Sequence, residues 1–155
     1  MRKLKLLLLI VLAVVFAAST VVAAETFKAK LTPKEETKKP KSKASGKVEF
    51  KLDKDAKTLA YKVEVKHLTD ATAAHIHKGK KGEDGPPVAG IMGTGTKKGK
   101  FSGVLTEGTL TDKDLMGELQ GKTINDLVTL IKSGDAYVNV HTDANPAGEI
   151  RGQLK

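Results

Sequence analysis

From residue 26 onward, apolar and polar positions alternate along most of the chain. Val48, Phe50 and Leu52 are interleaved with Lys47, Glu49 and Lys51, the two-residue period of a strand with one dry face. After a turn at "KDAK", Leu59, Tyr61, Val63 and Val65 share one parity and Lys62, Glu64 and Lys66 the other, which predicts a hairpin. His67 continues the apolar parity and is expected to be a structural histidine. A separate strand, "ATAAHIH" at 71–77, sets Ala74 and Ile76 on one face and Ala73, His75 and His77 on the other. Further strands are expected at 27–31, 100–110, 135–141 and 149–154. A glycine- and proline-bearing loop after His77 leads to a short apolar piece ending near Met92. At least seven strands with turns between them predict an all-β sandwich or barrel.

Helical spacing occurs in one region only. Thr111 with Asp114 and Thr123 with Asp126 fit capping boxes, and Ile124, Leu127, Val128 and Ile131 recur at helical intervals. A short turn and one helix over roughly 124–132 are expected to cover one end of the strands.

The first residues follow a different rule. Arg2, Lys3 and Lys5 precede an apolar run from Leu6 to Ala18, and Val22, Ala23 and Ala24 supply small residues before Glu25. This order predicts a signal peptide over 1–24, cleaved after Ala24, and an exported single domain over 25–155, periplasmic or secreted, with no membrane span after cleavage. No cysteine is present, so disulfides, thiolate ligands and a cysteine nucleophile are excluded.

Charge narrows the partners. The chain carries a formal +9, of which three charges belong to the leader, leaving +6 on the remaining side chains. Almost all of this is lysine, Arg151 is the one arginine after the leader, and there is no tryptophan. Nucleic acid is therefore not expected as a partner, because its recognition draws on arginine forks and stacking aromatics. The densest cluster, "KKPKSK" at 38–43, suits at most a weak contact with an anionic surface.

His75 and His77 are two apart in a strand, so both imidazoles leave the same face. They converge on one ion only if another element brings a third ligand. His141 is the candidate, ending a strand on its polar parity just before a turn. Three imidazoles suit copper or, as second choice, zinc. A fourth position is left to water or a carboxylate such as Asp143 or Glu149, ahead of Met92, which reads better as core filler. The alternative is an ion-free polar cluster in which backbone carbonyls or Glu149 hold the rings. No G-x-S-x-G nucleophile turn and no phosphate loop is present.

The pairing of "AAHIHKGKKGEDGPPVAGIMG" with "LVTLIKSGDAYVNVHTDANPAGEIRGQL" resembles the chordin-type (CHRD) domain over most of residues 26–155. The resemblance implies a secreted or surface-associated immunoglobulin-like or superoxide-dismutase-like Greek-key sandwich or barrel. It places the characteristic histidines at His75, His77 and His141, and a closing signature at Asn145, Pro146, Gly148, Glu149, Arg151 and Gly152. Where many relatives carry a cysteine after the histidine pair, this chain has Lys78. Pro146 and Gly148 are expected to shape the turn, and Glu149 and Arg151 to brace the histidines through charged hydrogen bonds. The likeness to copper-zinc superoxide dismutase is architectural only, since no bridging histidine can be assigned. The reading is an exported copper-binding protein for metal handling or extracytoplasmic redox. Its alternative is a non-catalytic structural domain or one that binds another extracytoplasmic protein.

Overall fold

The computed structural model of the protein describes residues 24–93 and 95–155, so the expected leader lies, apart from Ala24, outside the described residues. Among the described residues seven strands are present: β1 (Thr26–Leu31), β2 (Ser45–Leu52), β3 (Leu59–Lys78), β4 (Pro87–Gly90), β5 (Lys97–Leu110), β6 (Ala136–Thr142) and β7 (Ile150–Gln153). One helix, α1 (Ile124–Lys132), lies between β5 and β6. All strand pairs are antiparallel and belong to one sheet with the path β1-β2-β3-β6-β7, while β4 and β5 also pair with β3. Reciprocal backbone bonds join Thr32 to Arg151 and Lys28 to Lys155, which brings β1 against the β7 end. The sheet thus nearly closes into a barrel, as expected of an all-β chain that must satisfy its strand edges.

The closure depends on a missing side chain. A Cβ at Gly152 would stand 2.1 Å from the Lys30 carbonyl oxygen, so only glycine lets β1 approach β7 this closely. Inside, the alternating residues predicted to be dry do form the core: Val48, Phe50, Leu52, Leu59, Val63, Ile76, Val138 and Val140 are all buried. Helix α1 adds Ile124, Leu127, Val128 and Ile131 to it. Both capping boxes predicted from the sequence are formed, Thr123 with Asp126 at the start of α1 and Thr111 with Asp114 at a single 3-10 turn.

Two expectations need correction. The strands read as 58–68 and 71–77 are one 20-residue strand, β3, and a short β4 forms from the apolar piece after the loop. The break that "HLTDAT" suggested is absorbed by irregular pairing, with register shifts around Val65–Leu68 and Thr69–Ala71 and positive φ at His67 (56°) and Asp70 (50°). Such bulges insert residues without ending a strand. The shift also moves His67 off the core parity: it is exposed and Leu68 takes the buried position. His67 is therefore not a packed structural histidine.

Candidate metal centre

His75 and His77 lie on the second half of β3, and β6 pairs with that half so that His75 faces Asn139, His77 faces Tyr137 and Ala73 faces His141. Alanine at position 73 leaves room beside His141, whose ring reaches diagonally to His75. The strand parity foreseen for β6 holds, but both of its faces are buried, apolar Val138 and Val140 on one side and Tyr137 and Asn139 on the other. The protein thus carries a small polar layer outside its apolar core. The loop after β3, residues 79–86, roofs that layer.

The three predicted histidines are brought together, with one ring nitrogen from each within 4.8 Å of the others. The ring centroids of His75 and His77 are 5.6 Å apart, and those of His75 and His141 are 5.2 Å apart. The Nδ1 atoms of His77 and His141 lie 2.8 Å from the Gly85 carbonyl oxygen and 2.9 Å from the Pro146 carbonyl oxygen. A carbonyl only accepts, so each of these Nδ1 atoms carries the proton and each Nε2 holds a lone pair. His141 Nε2 is 3.2 Å from His75 Nδ1. His77 Nε2 is buried and makes no hydrogen bond among the described residues, although the Asn139 side chain is near enough to favour the charged ring.

Protonation is suppressed throughout the cluster. Burial drives His75 from 6.5 down to about 4, with the neighbouring His141 and His77 pushing the same way. Burial also lowers His77 and His141, against the opposing pull of the Gly85 and Pro146 carbonyls. Neutral rings with inward lone pairs are what a metal ion requires of imidazole ligands. Two nitrogens held at metal-bond length with a tetrahedral angle lie roughly 3.3 Å apart, close to the separation of the His75 and His141 atoms. Bonding of a ligand histidine through its other nitrogen to a backbone carbonyl is the usual way its orientation is fixed.

The bracing expected from Glu149 and Arg151 exists, but at one remove. The Glu149 carboxylate accepts hydrogen bonds from Ser42, Thr142 and Asn145 and makes none to a histidine. It fastens the turn whose Pro146 carbonyl orients His141. Arg151, 1% exposed, stacks its guanidinium 3.4 Å above the Tyr137 ring, and Tyr137 in turn stacks on His77 with centroids 5.0 Å apart and planes 13° apart. The same guanidinium donates to the Lys80 and Glu83 carbonyls and pairs with Asp84, tying down the roofing loop. Gly85, which presents its carbonyl to His77, has no room for a Cβ, since one would fall 1.7 Å from the Lys78 carbonyl oxygen.

The candidates for a fourth ligand do not join the cluster. Asp143 is exposed and pairs with Lys98 at 2.5 Å, and Met92 packs partly buried against the apolar core. Tyr137 and Asn139 were not singled out from the sequence. Their position on the polar parity of the strand that ends in His141 was the available signal. The Asn139 side-chain oxygen, on the residue opposite His75, is another buried acceptor with no hydrogen bond among the described residues.

Comparison with known proteins agrees with this picture in one respect. The family model of the CHRD domain matches residues 27–154, nearly the whole chain. No curated protein matches the chain, and no solved structure does.

Proposed function

The chain belongs to the CHRD domain family, and from that premise we propose that it is an exported protein that binds copper, or in second place zinc, through His75, His77 and His141. The observation that carries the proposal is the buried lone pair on His77 Nε2, for which the described residues supply no hydrogen bond. An unpartnered buried polar atom costs about 1–3 kcal/mol, and a metal ion would remove that cost. One ring nitrogen from each of the three histidines lies within 4.8 Å of the others. Bound there, copper would supply one-electron chemistry or reversible capture of the ion, which fits metal handling or an extracytoplasmic redox role. The protein's own contribution is to keep the rings neutral, to fix two tautomers through backbone carbonyls and to cover one side of the site with the loop at 79–86.

Titration of the metal-stripped mature protein with copper and with zinc tests this reading. It predicts one tight equivalent, lost in His77→Ala while circular dichroism stays that of the parent. Binding that is weak and insensitive to all three histidine variants would contradict it. Export is tested separately by N-terminal sequencing of the mature product, which should begin at Glu25.

One observation favours an ion-free reading. A His75 Nδ1 proton donated to His141 Nε2 across 3.2 Å would link β3 and β6 with no metal. That arrangement leaves the His77 lone pair unsatisfied, which is why the metal reading is preferred.

A further inference from the structure

The outer face of β1, β2 and the first half of β3 forms a groove of about 1120 Å³, none of whose lining residues belongs to the histidine cluster. Seven lysines and three glutamates line it, a side-chain surplus of four positive charges. Glu35 pairs singly with Lys81 at 3.3 Å, whereas the other two acids each hold two lysines. Glu49 is shared by Lys28 and Lys51, at 2.9 and 3.0 Å, and Glu64 by Lys47 and Lys62, at 2.6 and 3.5 Å. Each trio keeps one net positive charge in a fixed place.

Lys30 of β1 stands directly opposite Lys47 of β2. Glu64 holds Lys47 at 2.6 Å, whereas Lys30 forms no ion pair among the described residues. Lys30 is thus an unpaired cation on the strand array, and an anionic group of a ligand would supply its partner.

We propose that this groove binds a linear polyanion that lacks nucleobases, a chain bearing carboxylate, phosphate or sulfate groups along its length. Strand neighbours are about 4.8 Å apart and alternate residues on a strand about 6.8 Å apart, so the lysines form a two-dimensional array that meets successive charges of one chain. The surface is concave, which suits a threadlike polymer and not a flat bilayer. No aromatic residue and no arginine lines it, so stacking or forked recognition of bases has no partner here. The site differs from the lysine cluster at 38–43, whose Lys39 and Lys41 border a separate hollow.

The test uses the full mature chain, with polygalacturonate and dextran sulfate as probes, measured by calorimetry across a salt series. The double variant Lys30→Gln/Lys47→Gln should bind both probes at least about tenfold more weakly and lower the slope of log affinity against log salt by about 1.5 to 2. The triple variant Lys38→Gln/Lys41→Gln/Lys43→Gln should bind like the parent. Lys30→Gln alone should not lower the melting temperature, because it breaks no ion pair among the described residues. Equal losses in the groove and loop variants, no binding at low salt, or stronger binding to phosphatidylglycerol vesicles or a single-stranded oligonucleotide would each overturn the proposal. A response to carboxylate but not sulfate, or the reverse, would fit it and identify the anionic group.

Discussion

His77 is held on two sides and free on a third. Its Nδ1 is fixed by the Gly85 carbonyl, its face by the Tyr137 ring, and its Nε2 by no hydrogen bond among the described residues. Tyr137→Leu removes the ring stacked between His77 and Arg151, and the account predicts that copper affinity falls by about tenfold to a hundredfold, the range for residues that orient metal ligands, with stoichiometry unchanged. Competition titration against a chelator of known affinity measures this. Complete loss of the equivalent would place Tyr137 among the ligands and contradict its role here. The H-x-H spacing and the strand-end position of His141 made the three histidines legible before any coordinates. The stack of Arg151 on Tyr137 on His77 was not legible, because it joins three strands whose order in the sheet no local pattern reveals. Sequence parity put Glu149 and Arg151 together, whereas in the fold one serves the turn below His141 and the other the roof above His77.

Elements were legible wherever one periodicity ran unbroken. The α1 range and both capping boxes follow directly from the spacing of Thr123, Asp126 and the four apolar residues. Removing the cap with Thr123→Ala should cost about 1 kcal/mol, read from urea denaturation with an unchanged m-value. The long β3 was misread as two strands because a bulge interrupts parity in the same way as a strand end, and its partners that carry the chain through are distant in sequence. Gly152 raises the reverse problem, since its need lies entirely in another strand. Gly152→Ala should destabilise the protein by about 3 kcal/mol, at the upper end of overpacking costs, because the new methyl meets the Lys30 carbonyl and β1 must retreat. A variant as stable as the parent would mean that the β1–β7 closure does not form in solution.

For the molecule as a whole, two buried polar groups act on stability with opposite signs. The His75 ring is depressed to about 4 by burial, so the stability it contributes is fully present above its unfolded value of 6.5 and is lost as pH falls through about 4. Glu36 is raised to about 7 by burial, against the pull of Arg151 and with a smaller push from Asp84. Its contribution is fully present below 4.5 and lost as pH rises through about 7. His77 and His141 are lowered as well, so between about 4.5 and 6.5 the stability gained as the histidines lose their protons outweighs what Glu36 loses, and the metal-free protein should be most stable near about pH 6.5. Glu36→Gln should steepen the rise in stability between about pH 4.5 and 7 and leave the stability below about 4.5 unchanged, as thermal melts from pH 4 to 9 would show. Bound metal adds stability that grows as the logarithm of free metal over its dissociation constant, and protons compete with it for the imidazoles, so the acid loss should steepen when metal is present.

The convergence of three neutral imidazoles on one ion is tested most directly by electron paramagnetic resonance of the mature protein loaded with one equivalent of Cu(II), beside His141→Ala prepared in the same way. The account predicts a single type of copper centre with hyperfine structure from three nitrogens, reduced to two in the variant. A spectrum of mixed, weakly held copper that is identical in the two proteins would contradict it, and would leave the histidines as a polar link between β3 and β6.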